Sequence, residues 1–244
     1  VELQIIGLER ETDLARGIDI YGLREAWGVL KNRIYSSGYT LRRGACFDEL
    51  EARISNSAKP ALTEHFSTKE NTYTPSIAFW ICVETLEGET VGRVAVRLDR
   101  LADMSLLEFW RKYWRRCYPG IDGGRAEMAD VQPRFALKIS GSVAYIGDLF
   151  IEEGHRKNGI GSDLVKVVQI DALDEWSPDF IYGWMTPEHV GSRLFPSYGF
   201  RCVHSHGIYW RNAPGTVGAN LTFVGNSRDH LADLILEITT FRSA

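Results

Sequence analysis

Arg156, Asn158, Gly159 and Gly161 stand where an apolar run, VAYIGDLFI (residues 143–151), gives way to an amphipathic one, IGSDLVKVVQIDAL (residues 160–173). Such a junction suits the start of a helix, where the first backbone N–H groups lack partners and the helix dipole supplies partial positive charge. Glycines there let a bulky anion approach the backbone. The chemistry on offer is the holding of a phosphate or pyrophosphate. A second reactive group, Asp148, lies near the end of the apolar run. A carboxylate in that setting is costly unless it has a partner or a task. It can pair structurally with a nearby arginine, or it can act as a proton acceptor.

The two commonest nucleotide fingerprints do not fit the loop. A P-loop needs Lys-Ser/Thr after its second glycine, whereas Ser162 and Asp163 follow Gly161; a dinucleotide loop needs G-x-G-x-x-G, and only G-x-G is present. The pattern Arg/Gln-x-x-Gly-x-Gly/Ala is filled, by Arg156, Lys157, Asn158, Gly159, Ile160 and Gly161. Together with the preceding DLFI strand this resembles the coenzyme A loop of the GNAT superfamily of N-acetyltransferases. A second block, FIYGWM followed by TPEHVGSRLFPSYGFRCV, resembles that family's fifth strand, fourth helix and closing Gly199-Phe200 turn. The resemblance is clear over residues 143–203 and extends over 1–225 by element order.

The resemblance implies an α/β (α+β) GNAT fold over residues 1–244 as a single domain. Its centre would be a mixed, mostly antiparallel sheet of about seven strands flanked by helices. It implies acetyl-CoA as cosubstrate and no metal. Backbone groups of Leu149, Phe150 and Ile151 would pair with the pantetheine arm, and N–H groups of Lys157, Asn158, Gly159, Ile160, Gly161 and Ser162 would cradle the pyrophosphate. The Arg156 and Lys157 side chains would add charge, or form an ordinary solvated basic loop. Asp148 resembles the general base of some aminoglycoside 6′-N-acetyltransferases. Tyr145 stands where other members carry a catalytic glutamate; it would face the acceptor cleft but cannot be a base at neutral pH. Two positions depart from the family pattern. The usual tyrosine acid before the closing turn is Phe195, and Glu188 replaces an asparagine that often contacts the cofactor. Either the thiolate leaves without that acid, or a residue such as Tyr198, Tyr209 or His206 supplies the proton, or the chain does not catalyse.

Composition bounds the rest. With 44% hydrophobic and 25% charged residues among 244, the chain can bury a sizeable core. A net charge of −4 argues against a polyanion partner such as nucleic acid. Cys46, Cys82, Cys117 and Cys202 are scattered without metal-ligand or disulfide spacing, as in a reduced cytoplasmic protein. Nothing approaches the ~18 apolar residues of a membrane span, and no charged-then-apolar leader opens the sequence.

Along the chain, ELQIIGLE (residues 2–9) reads as a first strand, and residues 19–36 read as a helix with Ile20, Leu23, Ala26, Trp27, Leu30 and Ile34 at helical spacing. A shorter helix is expected at about 47–55, then a polar linker over 56–75 that could lie over an active site. SIAFWICVET and TVGRVAVRLD read as a hairpin around LEGE. Residues 101–142 read as a helical insertion between the family's third and fourth strands. Leu106, Phe109, Trp110, Tyr113 and Trp114 there pack into the core or wall an acceptor pocket or subunit contact. CVHSHGIYW and ANLTFVG read as the last two strands, and an extra C-terminal helix over 227–241, capped by Ser227, could pack on the sheet or mediate a homodimer. Three functions fit this layout. The first is acetyl transfer from acetyl-CoA to a primary amine of a small-molecule or peptidyl acceptor, by direct attack in a ternary complex. The second is a non-catalytic CoA-binding sensor, and the third an acyltransferase for longer acyl groups.

Overall fold

The computed structural model describes residues 18–156, 158–192 and 194–241. The strand expected over 2–9 lies outside these residues, as does Lys157. The described chain forms α1 (Ile20–Ser36), β1 (Tyr39–Gly44), α2 (Phe47–Arg53), β2 (Ala78–Thr85), β3 (Thr90–Arg100), α3 (Leu106–Cys117) and β4 (Glu127–Met128). It continues with β5 (Ser142–Ile151), α4 (Ile160–Trp176), β6 (Phe180–Met185), α5 (Pro187–Gly191), α6 (Leu194–Ser197), β7 (Cys202–His204), β8 (Trp210–Asn212), β9 (Thr222–Ser227) and α7 (Arg228–Thr240). Among the described residues seven strands make the central sheet, in the order β1-β2-β3-β5-β6-β9-β7. Among the described residues only β5 and β6 pair in parallel. That pair needs a crossover, and α4 provides it.

Local signals explain the helices. Asp19 caps α1 by accepting from the Tyr21 and Gly22 amides, and its buried stripe is Leu23, Ala26, Leu30 and Ile34. Ser105 and Glu108 form a capping box at α3, and Ser227 caps α7 through the His230 amide. α1, α4 and α7 cover one face of the sheet with a mostly aliphatic core that includes Val94, Val96, Ala144, Ile146, Leu164 and Ile235. The insertion and α2 cover the other face, where Trp80, Trp110, Trp114, Tyr145, Tyr182 and Phe223 are buried. The insertion's aromatic residues therefore belong to the core.

Three elements differ from the sequence expectation. β1 is absent from the sequence reading, because YTLRRG offers only Tyr39 and Leu41 as an apolar alternation before two arginines; among the described residues it is an edge strand bonded only to β2. The expected fourth helix is two short pieces, α5 and α6. Between the last two sheet strands, β8 leaves the main sheet to form a ribbon with β4 of the insertion. Among the described residues no helix is long and apolar enough to cross a membrane.

Candidate functional site

β5 and β6 run together only from Val143↔Phe180 to Ile146↔Gly183. Beyond that point β5 stays with β3 as far as Ile151, while β6 stays with β9 as far as Met185. The two strands thus diverge into a cleft. The cause is a β-bulge: Gly147 faces Ala95 and Phe150 faces Arg93, so Asp148 and Leu149 together stand opposite Val94. Asp148 takes a left-handed backbone with φ 51°. Such a conformation costs on the order of 1–3 kcal/mol and persists where the surroundings over-determine it.

The surroundings of Asp148 do so. Its side chain has 0% exposure. Its carboxylate accepts from the Thr63 amide at 3.2 and 3.1 Å and from the Thr63 hydroxyl at 2.8 Å, and Lys59 Nζ lies 3.6 Å away. The linker over 56–75 is therefore a strap across the bulge. Ser57 Oγ donates to Glu152 at 2.5 Å, and the Lys59 carbonyl accepts from Arg93 at 2.7 Å. The sequence pointed to a loop over the site but not to Lys59, Thr63 or His65 in it.

Backbone alternation decides what the cleft edge presents. Glu152 N donates to the Val91 carbonyl and Leu101 N to the Gly141 carbonyl, each at 2.9 Å. These bonds fix the phase, so Gly147 and Phe150 turn their amides to β3, whereas Leu149 and Ile151 turn theirs to the open side. The Ile151 carbonyl accepts from Arg156 Nε at 2.8 Å. Arg156 also lies over the Phe150 ring, 5.6 Å from its centroid, and thereby closes the strand end. Of the expected pantetheine partners, Leu149 and Ile151 face the cleft through their backbone and Phe150 does not.

Past Ile151 the chain makes a short 3-10 turn over Glu153–His155 before the glycine loop. Gly159 has φ 83° and open space where a Cβ would stand. Asn158 Oδ1 accepts from the Ile160 amide at 3.2 Å, and the Asp163 amide closes on the Gly159 carbonyl at 3.0 Å. Among the described residues the Gly161 and Ser162 amides then have no acceptor and are first-turn donors of α4. A Cβ on Gly161 would meet Ile151 Cγ1 at 3.4 Å, an ordinary contact that places the first turn of α4 beside the end of β5. The Ser162 hydroxyl turns away, donating to the Ser197 carbonyl. The open amides of Leu149 and Ile151, the exposed glycine and the first-turn donors lie near one another, an arrangement that fits a diphosphate with an extended amide-bearing arm.

Tyr145 lies on the aromatic face with its ring 4.5 Å from His65, 5.2 Å from Tyr182 and 5.6 Å from Phe66. Burial, and then Tyr182, hold its hydroxyl well above the ordinary tyrosine range. His65 is buried with neither ring nitrogen hydrogen-bonded among the described residues. Burial and the Arg97 charge push its pKa well below the usual histidine value. Phe195 packs against the aliphatic core, as does Tyr198, whose hydroxyl is raised by burial; Tyr209 is exposed. Among the described residues no group of three or more His, Cys, Asp or Glu is placed to hold a metal ion.

The strand order, the single parallel pair joined by α4, and the parting of β5 from β6 at a bulge decide the architecture. The fold is that of the GNAT superfamily. No family model and no curated relative matches the chain. Among solved structures, Arabidopsis thaliana NAA60 in complex with acetyl-CoA is similar at 16% identity, covering 78% of this chain and 99% of that one, with a TM-score of 0.49. A putative acyl-CoA N-acyltransferase from Klebsiella pneumoniae is similar at 13% identity, covering 78% and 97%, with a TM-score of 0.44. FeeM, an N-acyl amino acid synthase from uncultured soil microbes, is similar at 16% identity, covering 78% and 90%, with a TM-score of 0.43.

Proposed function

We propose that the protein transfers an acetyl group from acetyl-CoA to a primary amine of a small-molecule or peptidyl acceptor, within a ternary complex. The observation that carries this reading is the pair of open amides at Leu149 and Ile151 beside the first turn of α4, where a Cβ on Gly161 would lie 3.4 Å from Ile151 Cγ1. Acetyl-CoA supplies an activated thioester. The Leu149 and Ile151 backbone would hold its arm as an added strand does, and the Gly161 and Ser162 amides would receive the diphosphate. An N–H beside the thioester oxygen is typically worth ~10²–10³ in rate. Holding donor and amine in attack geometry contributes roughly 7–11 kcal/mol more.

In this reading Asp148 is the proton acceptor and Tyr145 lies beneath the reacting centre. Asp148 stands at the bulge and already pairs with one ammonium, that of Lys59. The test begins with the donor. Acetyl-CoA should raise the melting temperature. Gly159→Asn should abolish the shift while keeping the fold, since asparagine tolerates a left-handed backbone. If this variant and Gly161→Trp bind acetyl-CoA as the parent does, the loop assignment fails. Asp148→Asn should lower turnover about 10²–10⁴-fold and leave the thermal shift intact.

Phe195 favours a second reading, a CoA-binding sensor without transferase activity, because it has no proton to give to the leaving thiolate. Steady release of thiol with any amine would dismiss it. Nothing comparable favours a longer acyl donor, as the aromatic residues of α3 are packed into the core; octanoyl-CoA against acetyl-CoA tests the point.

A further inference from the structure

Lys59 is the one residue of the strap that brings a primary amine to the bulge. Its Nζ is 3.6 Å from Asp148 Oδ1, and its side chain is 42% exposed. Its backbone is fixed on both sides. The Lys59 amide donates to Ser57 Oγ at 3.2 Å, its carbonyl accepts from Arg93, and four residues on Thr63 is tied to Asp148. The anchor is rigid and the four-carbon stem is not. The amine can therefore sweep a short arc around Asp148, beside the open edge at Leu149, without moving the strap.

We propose that Lys59 is a self-acetylation site, acylated in cis from the thioester held along Leu149 and Ile151. This rests on the acetyl-CoA reading of the cleft. The Lys59 nitrogen attacks the thioester carbon, a C–N bond forms as the C–S bond breaks, and coenzyme A leaves as the thiol. One ammonium proton passes to Asp148 and the second, lost from nitrogen as the C–S bond breaks, protonates the leaving thiolate. The residue ends as a neutral amide, with no oxidant or reductant involved. Tethering makes the step effectively unimolecular. The product loses its charge and with it the ion pair to Asp148, so modification frees the carboxylate from its internal partner.

The test uses the full chain with acetyl-CoA and no added amine, followed by peptide mass spectrometry over time. One acetyl group should accumulate on Lys59 ahead of Lys31, Lys69, Lys112 and Lys138. Its half-time should not change with protein concentration, as a cis reaction requires. Asp148→Asn should slow it by about 10²-fold or more, and Lys59→Arg should remove that one modification and leave the others. A thermal shift by acetyl-CoA with Lys59 unmodified, or modified at the same rate in Asp148→Asn, overturns self-acetylation alone. No thermal shift at all overturns the cleft assignment and this inference together.

Discussion

On one face of the sheet α1, α4 and α7 lay Leu30, Leu164, Leu231 and Ile235 against Val94, Val96, Ala144 and Ile146. On the other, α2, the strap and the insertion enclose Trp80, Trp110, Trp114, Tyr145 and Tyr182 together with the buried charges of Arg93 and Arg97 and the ring of His65. The first face is made of regular helices and supports the glycine loop from below. The second is gathered from segments far apart in the chain, and it borders the space an acceptor would enter. In the proposed reading, donor holding would be a property of regular packing and acceptor choice a property of an irregular and partly polar wall.

The largest separation of the two faces should come from Arg97. It pairs with Asp99 at 3.1 Å, with both side chains nearly buried. Arg97→Met would leave Asp99 buried without its partner, an expected loss of about 3–5 kcal/mol, read by urea unfolding. Acetyl-CoA affinity should survive in the folded fraction. Leu164→Ala should cost about 2–5 kcal/mol and, because α4 carries the loop, weaken acetyl-CoA binding as well. Equal effects of both variants on donor affinity would erase the distinction. Gly147→Ala is a smaller perturbation, about 1–3 kcal/mol for overpacking. Its Cβ would stand 2.8 Å from Tyr145 Oη and 2.9 Å from Phe66 Cε2. It should disturb turnover through the strap more than donor binding.

Acid should act on the two faces with opposite sign. His65 titrates well below 6.5 in the folded protein because burial, then Arg97, disfavours its charge. Between that lowered value and 6.5 the unfolded chain binds more protons, so stability is lost as pH falls below about 6.5, by at most ~1.4 kcal/mol per pH unit. Asp171, on α4, is raised by burial to about 6. There the folded state binds the proton more tightly, so its term favours folding as pH falls through 6. His65→Phe should flatten the acid loss and Asp171→Asn should steepen it. The same slope change in both variants would contradict the assignment.

The aliphatic face was legible in the sequence because its helices announce themselves by period and cap. Leu23, Ala26, Leu30 and Ile34 recur at helical spacing, and Ser227 stands before the stripe of α7. The glycine loop was legible because Gly159 and Gly161 have few other reasons to open a helix. The aromatic face was not. His65 meets Tyr145 across eighty residues, in a contact that no local pattern encodes. Asp148 was singled out by the cost of burying a charge, yet its partners Thr63 and Lys59 sit in a linker without periodicity.

The bulge also shifts the phase of β5. Ala144 and Ile146 face the aliphatic core, Gly147 and Asp148 face the strap, and Leu149 and Ile151 face the aliphatic core again. Asp148 is thus one supernumerary rung in an otherwise regular ladder. Excising it would leave every remaining side chain on its present side, while letting the strand straighten alongside Trp184 and Met185. A chain shortened by that one residue would zip the fork shut, trading its slot for a better-knit sheet.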